Sequence, residues 1–402
     1  MQKLIPIPHQ KLALPPASPE ALAASAQLRD LISAEIQHHG GVIPFSRYME
    51  MALYTPGLGY YSGGSVKLGP DGDFTTAPEL SSLFGASLAH FFASHLASSS
   101  IGSNELMEFG AGSGKLAYDI LSECQYSGIT VSRYFIVELS GELRARQEER
   151  LKAFPQVEWL TEMPSSFSGM VLGNEVLDAM PIELVIKNQA AWNLLGVGLD
   201  EAGDFILQSM PAIQLSPELI LQIPEEDQLP EGYISEIHPV AIGFMRSVSE
   251  MLLAGKRATG HDGLCMWLDY GFPAHEYYVE QRNKGSLMCH YRHHAHPDPF
   301  YLPGLQDITA HVDFTAVARA GLEQGLNLAH YSSQAGFLLE AGITNIMARI
   351  PVEDSRRYLP SANALQKLIS PAEMGELFKV LVMSTGPELA PGYARHDRRH
   401  RL

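Results

Sequence analysis

The sequence predicts an α/β protein whose parallel sheet carries helices on both faces. From about residue 104 onwards, short apolar segments of strand character alternate with longer helix-like segments, which is typical of parallel sheets. A glycine-rich turn directly follows the first of these strands, at the end of the sheet where such folds bind ligands. Hydrophobic residues make up 46% of the 402 residues, an ordinary globular share that excludes a wholly disordered chain.

The first hundred residues predict a helical region followed by a loop. Ser18-Pro19 is a good helix start, because serine caps the first turn and proline suits the first helical position. Gly40-Gly41 ends that helix. A second helix is expected to follow Pro44 and to end near Thr55, and residues 57–79, rich in Gly, Ser and Thr, predict a loop.

Residues 80–104 contain no charged side chain and are long enough to cross a bilayer. Their large apolar residues recur at helical spacing on one face, and His90 and His95 interrupt the apolar run. A buried amphipathic helix is therefore the better interpretation, and we expect no membrane association.

The α/β region continues nearly to the end of the chain. Its predicted elements are strands at 105–109, 134–139, 157–160, 170–173, 264–269, 326–331 and 377–383, with helices from 115, at 141–152 and at 240–253. Residues 182–236 break this rhythm with short apolar runs between Gly, Asn and Asp, which predicts an inserted antiparallel meander.

These elements predict three parts of the chain. Residues 1–100 form an N-terminal helical region with a loop, and residues 101–390 form the α/β domain, with an insertion at about 182–260. Residues 391–402 form a basic, flexible tail.

The charge balance excludes some function classes. With 28 Lys+Arg against 45 Asp+Glu, the net charge is −17, and the last eleven residues carry +3, which leaves −20 on residues 1–391. Nucleic-acid binding needs a basic face, so this acidic chain is not expected to bind nucleic acid. An acidic protein attracts basic partners, which we expect instead. Three widely spaced cysteines predict neither a disulfide framework nor a zinc site. Prolines interrupt any signal-peptide core, so a cytoplasmic location is expected.

The glycine turn is the sharpest local signal. Gly110, Gly112 and Gly114 lie between a strand and a helix, where glycine lets the chain turn tightly and lets a ligand approach the backbone. Their spacing, G-x-G-x-G, differs from the dinucleotide pattern G-x-G-x-x-G, which disfavours an NAD-dependent oxidoreductase. Glu108 stands just before the turn, where a carboxylate suits a cationic cofactor better than a pyrophosphate.

The end of the second strand adds a further carboxylate. Glu138 lies 24 residues after Gly114, at a position from which an acid accepts hydrogen bonds from ribose hydroxyls. An adenosine-type cofactor without phosphates fits this set, and S-adenosylmethionine, with its sulfonium cation, is the cofactor that we predict. The alternative is a tight strand–helix turn beside a solvated acid.

A second candidate block follows the fourth strand. Asn174 and Glu175 stand beyond the carboxyl end of that strand, and Asp178 follows three residues later. A pair of carboxylates suits a guanidinium guest, whose planar fork pairs with carboxylates. We therefore predict a catalytic role for Asn174, Glu175 and Asp178. Equally, Glu175 could cap a helix N-terminus.

Histidines cluster at His290, His293, His294 and His296, beside Cys289. Arginine and prolines interrupt the run, and no second ligand group follows at zinc-finger spacing, so no metal site is predicted. A loop that shapes the substrate cleft is the favoured interpretation, with solvated surface as the alternative.

The motifs together resemble the MidA-like family of S-adenosylmethionine-dependent methyltransferases over roughly residues 40 to 385. That family includes the mitochondrial arginine methyltransferase that assists respiratory complex I assembly. The resemblance rests on the glycine turn and on further blocks at residues 48–61, 72–79, 174–181, 269–272 and 306–314. Ala111 stands where the family often has proline, and the glycines are kept.

The resemblance implies a class I methyltransferase fold with a seven-stranded, Rossmann-like sheet. It implies methylation of a protein arginine, with a respiratory-complex subunit as the partner of the mitochondrial relative. It also makes Phe74, Thr75 and Pro78 lining residues of the cofactor pocket. The alternative function is that of an assembly factor or chaperone that binds the cofactor with little or no catalysis. The sequence does not determine the oligomeric state.

Overall fold

A computed structural model describes residues 4–5, 14–63, 76–98, 103–188, 191–214, 223–224, 228–386 and 389–402. The chain divides into two compact units. The first unit comprises residues 1–74, 178–242 and 272–316, and the second comprises residues 75–177, 243–271 and 317–402.

The helices and strands have the following bounds. The helices are α1 (Pro19–His38), α2 (Phe45–Tyr54), α3 (Ala77–Leu80), α4 (Ser82–Ala97), α5 (Lys115–Tyr126), α6 (Gly141–Leu151), α7 (Pro239–Thr259), α8 (Ala274–Tyr277), α9 (Phe314–Gln324), α10 (Gln334–Glu340), α11 (Ile343–Met347), α12 (Ser355–Ile369) and α13 (Met374–Leu377). The strands are β1 (Leu4–Ile5), β2 (Val42–Pro44), β3 (Glu105–Phe109), β4 (Arg133–Val137), β5 (Val157–Leu160), β6 (Met170–Asn174), β7 (Glu183–Asn188), β8 (Ala191–Leu199), β9 (Phe205–Gln214), β10 (Ile234–Ile237), β11 (Leu264–Phe272), β12 (Met288–Tyr291), β13 (His294–His296), β14 (Asp307–Thr309), β15 (Val312–Asp313), β16 (Asn327–Ser333) and β17 (Phe378–Ser384).

A mixed sheet forms the centre of the second unit. Its strands follow in the order β16-β17-β11-β6-β3-β4-β5. Neighbours from β11 to β5 are parallel, as the alternation of strands and helices predicts. Strand β17 runs antiparallel to both β11 and β16, so the sheet that the sequence predicts as parallel is mixed at this edge. The total number of strands in the sheet, which the resemblance puts at seven, stays a prediction.

The uncharged segment forms helix α4, which is buried on more than one face. Phe84, Leu88 and Phe92 are buried, and so are Ala86 and Ala89 between them. The prediction of a buried helix is confirmed, but the expected polar face is small, because α4 packs against both α5 and α11. Within the described part of the chain, no helix combines the length and the apolar character that a membrane span requires.

An antiparallel sheet forms the centre of the first unit. Its strands follow in the order β1-β9-β8-β7-β10, and β2 pairs with β8. The consecutive strands β7, β8 and β9 are antiparallel neighbours, which confirms the predicted meander. One face is covered by α1 and α2, whose apolar residues join the same core as those of β7 and β8. That this segment is an insertion, and the predicted domain boundaries, stay predictions.

The histidine run forms a β-hairpin instead of the expected loop. Strands β12 and β13 pair in register from Cys289 with His296 to Tyr291 with His294. Between them, Arg292 and His293 have φ angles of 46° and 63°. Two successive residues with positive φ are what a tight hairpin turn requires, because its twist then matches that of the strands.

The last residues of the chain lie against strand β16, at the end of the strand order of the second unit. The backbone N–H of Arg398 donates to the Tyr331 carbonyl at 2.6 Å, and the Tyr331 N–H donates to Asp397 Oδ1 at 3.3 Å. The Arg398 guanidinium also pairs with Glu376. The part of the chain expected to be a flexible tail therefore makes defined contacts with the sheet.

Candidate functional site

The glycine turn joins β3 to α5 as the sequence predicts. Gly110, Gly112 and Gly114 all have positive φ angles, of 66°, 52° and 76°, which residues with a side chain rarely adopt. A Cβ on Gly110 would lie 2.9 Å from Cγ2 of Val176, so the turn also touches the loop that follows β6. Both the backbone conformation and the close approach therefore require glycine here.

Glu108 is buried in β3 beneath the turn. Its Oε2 accepts a hydrogen bond of 2.7 Å from the hydroxyl of Tyr134 on β4. Burial raises the pKa of Glu108 to about 7; the Tyr134 hydrogen bond opposes this shift, and the nearby charge of Glu138 adds to it. The partner that the structure gives this carboxylate is a tyrosine, which the sequence did not indicate.

Glu138 follows β4, next to the turn. Its Oε1 accepts from the backbone N–H of Ser140 at 2.8 Å, and its Oε2 accepts from Nε2 of Gln147 at 2.9 Å. Burial raises the pKa of Glu138, and these hydrogen bonds act against that shift. The carboxylate is thus held in one orientation at the end of the strand.

Asn174 and Glu175 lie at the end of β6, the strand beside β3. Glu175 has a φ angle of 54°, a conformation that strains a residue with a side chain. Its N–H donates to the Leu268 carbonyl at 2.9 Å, and its Oε1 accepts from Asn174 Nδ2 at 3.1 Å. Oδ1 of Asn174 is buried without a hydrogen-bond partner among the described residues. Such an acceptor suits a donor group on a ligand.

Asp269 of β11 fixes the loop that carries Glu175, a role that the sequence reasoning missed. Its Oδ2 accepts from the backbone N–H groups of Val176 and Leu177 at 3.1 and 2.9 Å. Asp269 is 1% exposed, and it stands in one of the motif blocks without a role assigned from the sequence. The available signal was an acid near the end of a buried strand, where loop N–H groups converge.

The other predicted site residues have different placements. Asp178 belongs to the first unit, where it is buried and its carbonyl accepts from the Ala310 N–H at 3.1 Å. Pro78 is buried in α3, and its neighbour Glu79 accepts from the hydroxyl of Ser113 in the glycine turn. Phe74 and Thr75 lie outside the described residues.

The histidine hairpin does not assemble a metal centre in the described ranges, where no group of three or more His, Cys, Asp or Glu side chains is placed to hold an ion. His296 is 2% exposed, whereas His293 and His294 are exposed on the hairpin. A role for this hairpin in shaping a substrate cleft stays a prediction.

The residues at this end of the second unit fit an adenosine cofactor with a cationic group. Three glycines leave the backbone open, Ser140 and Gln147 hold the Glu138 carboxylate at the end of β4, and Asn174 offers a buried acceptor. No Lys or Arg lies within the G-x-G-x-G turn to pair with phosphates. The acceptor oxygens of Glu138 and Asn174 thus suit the hydroxyl and amino donors of such a cofactor better than a pyrophosphate, which itself only accepts hydrogen bonds.

A family model matches residues 87–332, and its description is "Putative S-adenosyl-L-methionine-dependent methyltransferase". The match covers more than half of the chain and includes the glycine turn, Glu138, Asn174 and Glu175.

Curated relatives from animals match most of the chain. The mitochondrial protein arginine methyltransferase NDUFAF7 of Danio rerio is 27% identical over 383 residues, covering 87% of this chain and 85% of the relative. The protein of that name from Mus musculus is 28% identical over 373 residues, covering 84% and 80% of the two chains.

A solved structure is more similar. It is a crystal structure from Burkholderia thailandensis bound to S-adenosyl-homocysteine, 49% identical, with a TM-score of 0.90. The match covers 97% of this chain and 100% of the other. A native crystal structure from the same organism is 48% identical with a TM-score of 0.86.

Proposed function

Because this chain belongs to the family of S-adenosyl-L-methionine-dependent methyltransferases, we propose that it methylates an arginine side chain of a protein substrate. Its cofactor is S-adenosyl-L-methionine. The observation that carries the arginine proposal is the strained Glu175, which is held beside Asn174 at the end of β6, next to the glycine turn. A carboxylate kept in an unfavourable backbone conformation is typical of a functional position.

The choice of acceptor is supported by chemistry and by the relatives. Guanidinium pairs with carboxylates through parallel hydrogen bonds, and Glu175 and Asp178 supply carboxylates in one short segment of the chain. The relatives from Danio rerio and Mus musculus are named protein arginine methyltransferases. A respiratory-complex subunit is the partner that we propose on the family resemblance.

The cofactor, when bound, supplies a methyl group activated by a sulfonium. We propose that Glu138 binds its ribose, that Gly110, Gly112 and Gly114 admit it to the backbone, and that Glu108 favours its positive charge from beneath the turn. Phe74, Thr75 and Pro78 are proposed as further lining residues.

The chain's own contribution to the transfer is orientation and electrostatics. In this proposal, Glu175 accepts hydrogen bonds from the guanidinium and keeps one nitrogen directed towards the methyl group. Its negative charge, with that of Asp178, favours the positive charge that develops on the acceptor nitrogen. The bond between the methyl carbon and the cofactor's sulfur breaks as the new N–C bond forms, which leaves S-adenosyl-homocysteine. The acceptor nitrogen then loses a proton, which Glu175 accepts in this proposal. Asn174 holds Glu175 through its amide.

The experiment is transfer of labelled methyl groups from S-adenosyl-L-methionine into a cell extract, with mass spectrometry of the labelled band. We expect wild type to label arginine, and Glu175→Gln to lose at least about 100-fold in rate while still binding S-adenosyl-homocysteine. Asp178→Asn is expected to lose less. Glu201→Gln, a matched change in an exposed turn, should keep the wild-type rate.

Each outcome bears on one part of the proposal. Full activity of Glu175→Gln would remove that residue from catalysis, and labelled lysine or glutamine would exclude arginine as the acceptor. A wild-type protein that binds the cofactor but labels nothing would instead support the assembly-factor function.

A further inference from the structure

One glutamine connects the three elements around the cofactor end of the second unit. Gln147 lies on α6 and is fully buried. Its Nε2 donates to the Gly112 carbonyl and to Glu138 Oε2, both at 2.9 Å. Its Oε1 accepts from the indole Nε1 of Trp159 on β5, also at 2.9 Å. The side chain thus touches the glycine turn, the carboxylate after β4 and the edge strand at once.

The partners determine which way the amide points. An indole N–H can only donate, whereas a backbone carbonyl and a carboxylate can only accept. Trp159 therefore requires Oε1 on its side, which leaves both amide protons for Gly112 and Glu138. A flipped amide would place its oxygen against two acceptors and its protons against a donor.

Packing also fixes the position of this side chain. A Cβ on Gly114 would lie 3.2 Å from Cγ of Gln147, so the glycine turn and α6 are in close contact. Gly114 has a φ angle of 76°, and it is followed directly by the start of α5. The conformation of the turn is thus coupled to the rotamer of Gln147.

We propose that Gln147 is a positioning residue for the cofactor: it orients the Glu138 carboxylate and holds the glycine turn through the Gly112 carbonyl. One donor group thereby sets the two features that bind the ribose side of the cofactor. The proposal rests on the cofactor of the proposed function and is independent of the methyl acceptor. A failure of the arginine assay therefore leaves it standing.

If Gln147 positions Glu138, two substitutions of similar size, Gln147→Glu and Gln147→Met, should change the affinity for S-adenosyl-homocysteine with opposite dependence on pH. Gln147→Glu places a second carboxyl group beside that of Glu138. At high pH both are charged and repel each other, so the loss of affinity in this variant should grow as the pH rises. At low pH the two groups share one proton, and the loss should be smaller. Gln147→Met removes the donor and thereby raises the pKa of Glu138, so its affinity loss should grow with falling pH. At pH 8 we expect a loss of about 10- to 100-fold for Gln147→Glu.

The charged neighbours are common to all variants. Glu108 on β3 interacts with the charge of Glu138, and Arg144 of α6 lies over the Trp159 ring at 6.0 Å from its centroid. Affinities are therefore compared as ratios to wild type at each pH. Gln125→Glu, on an exposed position of α5, adds the same charge away from the turn.

The test is calorimetric titration of the full chain with S-adenosyl-homocysteine between pH 5.5 and 8. Opposite pH trends for the two Gln147 variants, with Gln125→Glu within about twofold of wild type, would support the proposal. The same trend in both variants, or affinities within about twofold of the control, would overturn it.

Trp159→Phe keeps the glutamine but removes its orienting donor, and a loss of affinity smaller than that of Gln147→Glu is expected. An unchanged affinity there would contradict the orienting role of Trp159.

Discussion

At Glu175, the backbone conformation favours glycine, whereas the proposed chemistry requires a carboxylate side chain. A φ angle of 54° suits glycine, yet the position carries a carboxylate that Asn174 holds by a hydrogen bond. A non-glycine residue in this region costs about 1–2 kcal/mol, which the rest of the loop must offset. The two N–H bonds to Asp269 belong to that compensation.

This strain predicts a separation of stability from activity. Glu175→Gly should be more stable to unfolding than Glu175→Ala by about 1 kcal/mol, because only glycine adopts this conformation freely. Both variants should lose methyl transfer. Urea unfolding and the labelling assay measure the two effects, and an alanine variant at least as stable as the glycine variant would contradict the strain.

Glu108 makes stability depend on pH. Its pKa is about 7 in the folded protein, against an ordinary value of 4.5, so the folded state binds the proton more tightly than the unfolded state. The stabilising effect of that proton is complete below pH 4.5 and is lost as the pH rises towards 7. The difference amounts to on the order of 3 kcal/mol.

Glu108→Gln removes this titration and keeps an acceptor for Tyr134. The free energy of unfolding of the variant should rise relative to wild type between pH 5 and pH 8, by about 2–3 kcal/mol. Urea titrations at four pH values test this. Glu149→Gln, at an exposed position of α6, provides the control. If the free energies of unfolding of Glu108→Gln and wild type differ by the same amount at every pH, Glu108 is not a buried group that titrates in this range.

At the scale of elements, the C-terminal segment covers an edge of the second unit. Edge strands expose unpaired backbone groups that can pair with another chain. Here the backbone of β16 is engaged by Arg398 and Asp397, while Arg399 donates to the Leu328 carbonyl at 3.0 Å. The Tyr393 ring, 8% exposed, lies with its centroid 4.8 Å from that of Phe91. The segment is thus held by packing as well as by hydrogen bonds.

Truncation before residue 389 should therefore destabilise the protein and favour self-association. We expect the free energy of unfolding to fall by about 3 kcal/mol, because the apolar surface that Tyr393 covers becomes exposed and the hydrogen bonds of the segment are lost. Thermal unfolding and light scattering on a sizing column measure both effects. Arg395→Gln, an exposed position, reduces the charge alone and should change neither. A truncated chain that is monomeric and as stable as the full chain would contradict a covering role.

At the scale of the whole molecule, the net charge of −17 affects how fast the protein associates with the proposed protein substrate. An acidic protein attracts a basic substrate, and salt screens that attraction over about 10 Å at 0.1 M. Glu108, Glu138, Glu175 and Asp178 are the acids with proposed roles in binding or catalysis, and many of the remaining acids are exposed.

Methyl transfer to an arginine-rich acceptor should slow as the salt concentration rises. Between 50 and 300 mM salt we expect at least about a threefold fall in the initial rate at low acceptor concentration. Binding of zwitterionic S-adenosyl-homocysteine over the same range is the control. A rate that is constant or rises with salt would show that the net charge does not attract the acceptor.

Much of the secondary structure could be predicted because local patterns and caps determine it. Strands β3 and β5 have the predicted bounds, and α1 begins at Pro19 with the Ser18 side chain accepting from the Ala21 N–H. The antiparallel direction of β17 and the burial of α4 on several sides could not be predicted. They depend on which elements lie beside them, and periodicity carries no information about neighbours.

The sequence by itself determined the glycine turn, the acids around it and the family, because each depends on residue types at short spacing. Tertiary structure decided how these groups are held: Tyr134 on Glu108, Asp269 on the Glu175 loop and Gln147 between Gly112 and Glu138. These partners come from other strands and helices. Only the pairing of strands in a sheet brings such distant side chains within hydrogen-bond distance, and it is there that burial changes the pKa of a carboxyl group.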